Sequence, residues 1–212
     1  MMKVYIHLLL IVLFTSCSTA RVTDSWVNED YVNYQPKKVL IIGLTDNLNG
    51  RILFEEQLKN ELAKRSIHAI ESYTVFEPQF TSSKQSENDI EKEIKRLSSE
   101  GFDTVLISAV KGIDEKVSYS GDNFRTYYYW RRFGRYYYLA QDVYYLEGYY
   151  SKYKIYHIEA SLYNLKENKD KSLVWVASYD IVDPKQVNST VTNYVTAIIK
   201  SLEEKQLINE KN

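Results

Sequence analysis

Hydrophobic and polar positions recur along the chain with two different periods, which predict a succession of strands and helices. The segment Lys37–Leu44 contains the continuous aliphatic run Val39-Leu40-Ile41-Ile42, which is typical of a strand buried on both faces. Apolar residues at helical spacing follow between Ile52 and Ala63, with Glu55, Lys59 and Lys64 on the opposite side. A short strand is predicted at Ile67–Ser72. A second helix is expected to begin at the capping sequence Ser86-Glu87-Asn88-Asp89 and to stop at Gly101.

The second half of the chain is predicted to add a hairpin and a last helix. A buried strand is expected at Asp103–Val110. Tyr153–Leu165 alternates as a half-buried strand, and Leu173–Ile181 is its expected antiparallel partner. A final helix is predicted from about Gln186 to Glu204. The element order β-α-β-α-β-β-β-α predicts one α/β domain over residues 37–206, with a mixed sheet, helices packed on it and a short tail at 207–212.

Residues 1–16 have the layout of a secretory signal peptide, with Lys3 followed by a short apolar run and small polar residues. The apolar run ends at Phe14 and is too short for a transmembrane helix, which takes roughly 20 apolar residues. The segment Leu13-Phe14-Thr15-Ser16-Cys17 resembles the bacterial lipobox, in which the cysteine receives a diacylglycerol. Phe14 stands where that pattern prefers an aliphatic residue. An ordinary secreted protein with an incidental cysteine is the alternative interpretation.

The lipobox resemblance implies cleavage before Cys17 and a lipid anchor of acyl chains, palmitate among them, on that cysteine. Each buried methylene contributes about 0.8 kcal/mol, so several chains hold a protein firmly. Cys17 is the only cysteine, which excludes a disulfide within the chain. Residues 17–36 are polar and are expected to form a tether. The alternative is that its larger side chains dock onto the domain: Trp26, Val27, Tyr31 and Val32.

The α/β element order behind a lipobox resembles the module shared by the TolB amino-terminal domain, the curli-secretion lipoprotein and lipoprotein activators of penicillin-binding proteins. The sequences that carry the resemblance are Val39-Leu40-Ile41-Ile42-Gly43 and Leu58-Lys59-Asn60-Glu61-Leu62. Members of that group bind partners or assemble and are not enzymes. The resemblance therefore implies an envelope lipoprotein that acts as a binding or assembly module, with a homo-oligomer as one option. Ser18-Thr19 provides no inner-membrane retention signal, so the periplasmic face of the outer membrane is expected.

Tyrosine is concentrated in residues 113–152, between the third strand and the hairpin. The chain has 20 Tyr, and 13 of them fall between Tyr119 and Tyr156, interleaved with Arg. Tyr offers a large apolar face with a polar tip, and Arg a planar, weakly hydrated cation. An extended hairpin or arm is predicted, with its turn near Phe133-Gly134-Arg135. Ten residues are candidates for contact with a protein, a glycan or a lipid headgroup: Tyr127, Tyr128, Tyr129, Trp130, Arg131, Arg132, Arg135, Tyr136, Tyr137 and Tyr138. A purely structural hairpin remains the other interpretation.

Motifs for catalysis or cofactor binding are not found, so no enzyme, cofactor or metal is expected. His157 and Glu159 would share a strand face, but two ligands are too few for a metal site. The loop from Gly43 to Gly50 fits no phosphate-binding pattern. A formal net charge of −1 and export from the cytoplasm argue against a nucleic-acid partner. An enzyme acting on envelope glycans or lipids stays as the alternative, with Asp122, Asp142 or Glu147 as its acids.

Overall fold

The computed structural model describes residues 20–115, 133–144, 154–167, 172–182, 184 and 186–210. The strands are β1 Ala20–Val27, β2 Lys38–Leu44, β3 His68–Glu71, β4 Thr104–Glu115, β5 Lys154–Asn164 and β6 Leu173–Val182. The helices are α1 Leu48–Ala63, α2 Ser72–Val75, α3 Pro78–Ser82, α4 Glu87–Ser99, α5 Phe133–Tyr144 and α6 Val187–Glu204, with a 3-10 turn at Glu29–Tyr31. None of the helices in these ranges is long and apolar enough to cross a membrane.

All six strands form one mixed sheet in the order β1-β6-β5-β4-β2-β3. β2 is parallel to both β3 and β4, whereas β5 and β6 continue the sheet as an antiparallel hairpin. This arrangement confirms the predicted α/β class and its two crossover connections followed by a hairpin. β2 lies between two parallel neighbours, and its residues Val39 to Ile42 are at most 1% exposed. The continuous aliphatic run is therefore required by burial on both faces.

Helices cover the two faces of the sheet and create two hydrophobic cores. On one face, Phe54 and Leu58 of α1 and Ile198 of α6 pack against Ile41 and other sheet residues. On the other face, helices α4 and α5 pack against Leu40 and Ile42. The alternation of Leu40, Ile41 and Ile42 between the two cores follows from the two-residue period of a strand.

The polar residues expected to form a tether instead begin the sheet. β1 pairs antiparallel with β6 from Ala20, opposite Ile181, to Val27, opposite Trp175. Ala20 is only 6% exposed and lies in the core, with Val27 packed against the same cluster. Asn28 then continues the attachment, because its side-chain amide donates a 3.1 Å hydrogen bond to the carbonyl of Leu173.

The docking alternative describes this segment better than the tether. Trp26, Val27 and Tyr31 pack against the cores, whereas Val32 remains 67% exposed. The end of the chain also differs from the expected tail, since Leu207 and Ile208 are 1% and 5% exposed in the core. Both additions extend the domain beyond residues 37–206. The apolar side chains of β1 are buried at the edge of the sheet, and those of Leu207 and Ile208 are buried after the end of α6, which removes apolar surface from water.

The expected hairpin turn near Phe133-Gly134-Arg135 is wrong, since these residues begin helix α5. Phe133, Tyr136 and Tyr137 are buried and follow the i, i+3, i+4 spacing of one helix face. Gly134 allows α5 to approach α4 closely, as a Cβ there would meet Cδ1 of Ile94 at 3.3 Å. Consecutive tyrosines favour a strand by propensity, but tertiary packing decides the helix.

Candidate functional site

The strand directions bring several chain segments together at one end of the sheet, here called the upper end. It holds the carboxyl ends of β2, β3, β4 and β6 and the amino ends of β1 and β5. Ligands of open α/β sheets bind beyond the carboxyl ends of parallel strands. Segments 116–132 and 145–153 leave and rejoin the described structure next to it, after β4 and before β5. The upper end is therefore the candidate functional region of the fold.

A buried ion pair lies below the first turn of α1. The Oε1 atom of Glu55 accepts hydrogen bonds from the backbone N–H of Gly43 at 2.9 Å, from Nε of Arg51 at 3.1 Å and from Oγ of Ser72 at 2.7 Å. Its Oε2 atom accepts from the N–H of Tyr73 at 3.3 Å. Arg51 also donates from Nη2 to Oγ of Ser72 at 2.9 Å. Side-chain exposure is 9% for Arg51 and 0% for Glu55.

This cluster joins α1 to β2 and to the residue after β3. A Cβ on Gly43 would lie 3.3 Å from Cγ of Arg51 and from Cδ1 of Phe54, so glycine is what lets the helix approach. Glu55 was expected on the solvent side of the helix, and that expectation is wrong. The Arg51/Glu55 spacing of four residues was the available signal. The polar groups of this cluster bond to one another, and the helix start is capped by Asn47, which accepts from the N–H of Gly50.

His157 lies between two carboxylates on the face of the sheet that α4 and α5 cover. Its Nδ1 atom is 2.7 Å from Oδ1 of Asp180, and its Nε2 atom is 3.1 Å from Oδ2 of Asp114. Arg21 lies opposite Asp180 in the β1–β6 register. The predicted strand face is confirmed, since β5 places His157 on the same side as the carboxylate of Glu159. That carboxylate is buried and accepts from Oγ of Ser161 at 3.4 Å.

Metal binding gains no support from these groups. Within the described ranges, no cluster of three or more His, Cys, Asp or Glu residues is placed to hold a metal ion. Of the carboxylates named for the enzyme alternative, Asp142 falls on α5, and Asp122 and Glu147 lie outside the described residues.

The candidate contact residues divide into three groups. Tyr136 and Tyr137 are 0% and 3% exposed and pack in the core, so the described structure presents little of either side chain to a partner. Arg135 is at the surface, where Nη1 lies 3.4 Å from Glu87 and the guanidinium lies 5.6 Å from the ring centre of Tyr138. The remaining candidates lie outside the described residues, as does the proposed lipidation site: Tyr127, Tyr128, Tyr129, Trp130, Arg131, Arg132 and Cys17.

Several exposed aliphatic side chains lie at the upper end. Leu48 begins α1, Val182 ends β6 and Val187 begins α6, with exposures of 61%, 37% and 42%. Val22, two residues into β1 from Ala20, is 44% exposed. Sequence periodicity does not predict these exposures. It shows which residues are apolar, but not which of them lie at the end of a helix or strand, beyond the elements that would cover them.

Several phenols are buried or lie beside carboxylates, which changes their acidity. Burial raises the pKa of Tyr194 well above 10.0, although a 2.8 Å hydrogen bond with Oγ of Ser108 acts in the opposite direction. Desolvation and the nearby carboxylate of Glu71 raise the pKa of Tyr73 to about 12. Both phenols therefore remain neutral at physiological pH.

The fold and this site define a mixed α/β domain with internally bonded polar clusters. Neither a protein-family model nor a curated protein matches the sequence. In structure the chain is similar to the lipoprotein GNA1162 from Neisseria meningitidis, at 15% identity and a TM-score of 0.41 over 80% of this chain and 99% of that one. It is also similar to the PelC dodecamer from Paraburkholderia phytofirmans, at 11% identity and a TM-score of 0.39 over 90% of this chain and 98% of that one. Likeness at this level transfers neither residues nor function.

Proposed function

We propose that this protein is a lipid-anchored, non-enzymatic binding or assembly module of the bacterial cell envelope, held to the membrane through Cys17. The observation that carries the proposal is the start of β1 at Ala20, three residues after the lipobox-like cysteine. A short apolar leader precedes the lone cysteine, and only Ser18 and Thr19 separate that cysteine from Ala20, the buried first residue of β1. Cleavage before Cys17 would leave the domain complete and place its new amino terminus at the upper end.

The distance between anchor and domain is short. Three residues span at most about 10 Å when fully extended. A domain joined to its acyl chains in this way stays at the membrane surface, whereas a tether of some twenty residues would let it move away. The absence of a retention signal at Ser18-Thr19 favours the outer membrane and its periplasmic side.

The binding role is assigned to the Tyr/Arg sequences at 116–132 and 145–153. They connect to β4 and β5 at the upper end, so they start from the membrane-proximal side of the domain. Their aromatic and guanidinium groups suit an envelope protein or a glycan. A role in binding rather than catalysis is supported by the polar clusters at this end, whose charged groups bond to one another.

Anchoring is tested by expressing the full chain in a bacterium that processes lipoproteins and measuring the mass of the mature protein. We expect loss of residues 1–16 and a mass increase that matches acyl chains, with the protein in the membrane fraction. Cys17→Ser should abolish acylation and release the protein, and Ser18→Ala is the matched control that should change neither. An unmodified Cys17 in the wild-type protein would contradict the proposal.

Binding is tested with a photoreactive amino acid at Tyr129, compared with the same group at Lys95 on the exposed surface of α4. In intact envelopes we expect a discrete cross-linked product from position 129 that position 95 does not give. A product with a second copy of the chain supports assembly, and one with another envelope protein supports a binding module. Identical patterns from the two positions would count against a role for the Tyr/Arg sequences.

A further inference from the structure

The exposed aliphatic residues of the described chain are not evenly distributed. Leu48, Val182 and Val187 all lie at the upper end, and Val22 lies close to it on β1. Val32, which is 67% exposed, follows the opposite end of β1. Single exposed apolar residues are ordinary on a protein surface. The informative feature is that most of these coincide with the end at which the proposed lipid anchor enters the fold.

The two helices on one face of the sheet both begin at this end and run away from it side by side. The rings of Phe54 in α1 and Tyr194 in α6 stack with their centres 5.6 Å apart near the middle. Arg65, just past the end of α1, forms a 2.6 Å ion pair with Glu203 near the end of α6. The helices are therefore parallel, and each begins at the upper end with an exposed aliphatic residue, Leu48 in α1 and Val187 in α6.

The anchor limits how far this end can be from the bilayer. Ala20 is fixed in the sheet opposite Ile181, directly beside Val182 in sequence. Only Ser18 and Thr19 separate it from Cys17, so the β1 corner of the upper end stays within about 10 Å of the acylated residue. Aliphatic side chains that face the headgroup layer from this end would exchange water for the upper acyl region.

Resting on the proposed lipidation of Cys17, we propose that the upper end is a membrane-contacting surface, with Leu48, Val182 and Val187 inserted among phospholipid headgroups. The strands then point away from the bilayer. β4 has 12 residues. At about 3.3 Å per residue it extends roughly 35–40 Å, so the lower end lies well beyond the headgroups. The Tyr/Arg sequences then connect to β4 and β5 at the membrane-facing end.

The lone cysteine makes a clean test possible. Once Cys17 is acylated, a cysteine placed elsewhere is the only free thiol. Mature acylated protein carrying Leu48→Cys, Val187→Cys or Val32→Cys is labelled with an environment-sensitive fluorophore. It is then reconstituted into vesicles of phosphatidylethanolamine and phosphatidylglycerol that contain a headgroup nitroxide lipid. We expect nitroxide quenching several-fold stronger at positions 48 and 187 than at 32, with a blue-shifted emission at the first two.

Acyl mass and co-sedimentation with the vesicles are measured on the same samples and report the anchor separately. Protein that is acylated and sediments, yet is quenched equally at all three positions or most strongly at 32, overturns the orientation alone. Protein without acyl groups contradicts the proposed function and the orientation with it. A blue shift at 48 and 187 that persists in detergent and rises with protein concentration would assign the surface to a second copy of the chain and also overturn the proposal.

Discussion

Glu55 connects α1 to β2 and to Ser72 through buried hydrogen bonds. Its carboxylate accepts from a backbone amide of β2, from Arg51 and from Ser72 without exposure to water. Glu55→Ala leaves the guanidinium buried and uncompensated, and we expect a loss of about 3–5 kcal/mol in the free energy of unfolding. Urea denaturation measures it. The neighbouring Glu56→Ala, at an exposed position, should stay within about 0.5 kcal/mol.

A double change separates charge pairing from packing at the same place. Because apolar residues of similar volume often replace a buried ion pair at little cost, Arg51→Met with Glu55→Leu should unfold at higher urea than Glu55→Ala alone. If the double variant is the less stable of the two, the network contributes through its hydrogen bonds rather than by neutralising a buried charge.

Tyr194 predicts how stability depends on alkaline pH. Burial raises the pKa of its phenol in the folded protein above 10.0, the ordinary value that the unfolded chain retains. A group with a raised folded pKa contributes stability that is fully present below the unfolded value and is lost as the pH rises through the folded one. We therefore expect the free energy of unfolding to fall above about pH 10, and less steeply in Tyr194→Phe. Parallel curves for the two proteins would contradict this assignment.

At the scale of elements, helix α5 is not predicted by the pattern of hydrophobic and polar residues, which favours a hairpin at these positions. Tyr136 is fully buried in this helix, whereas Tyr138 stays half-buried beside Lys84 and Arg135. Tyr136→Ala should cost about 3–5 kcal/mol, as truncation of a large core ring does. Tyr138→Ala should cost far less, and thermal unfolding compares the two. Equal effects would mean that the helix does not pack as described.

A strand or helix can be predicted from the sequence when burial gives its residues a clear hydrophobic pattern. The aliphatic runs of β2 and β4 and the capped start of α4 at Ser86 were predicted because both faces of the strands and one face of the helix are buried. β1 was missed because it is an edge strand with solvent on one side, so its pattern is mostly polar. The ion pair at Glu55 was missed because charged residues on a helix are usually solvated.

β1 gives a direct test of where the domain begins. A protein that starts at Lys37 lacks β1 and exposes the edge of β6 together with the core positions covered by Trp26 and Val27. We expect it to lose its cooperative thermal transition or to aggregate, while a protein that starts at Ser18 unfolds cooperatively. Comparable melting of the two forms would restore residues 17–36 to the role of a tether.

At the scale of the whole molecule, the short connection between Cys17 and Ala20 makes orientation a property of the anchor. Inserting twelve Gly/Ser residues after Thr19 leaves the lipobox and β1 unchanged. A flexible linker of that length has an average span of roughly 20 Å, which frees the upper end from the headgroups. With the label at Leu48→Cys, we expect acylation and co-sedimentation to persist while nitroxide quenching falls toward the level seen at Val32→Cys. A rigid insertion of three residues is the matched control and should retain most of the quenching. Undiminished quenching with the long linker would show that the upper end binds lipid by itself. Weak quenching in all three proteins, with the native spacing and with either insertion, would show that the anchor does not set the orientation.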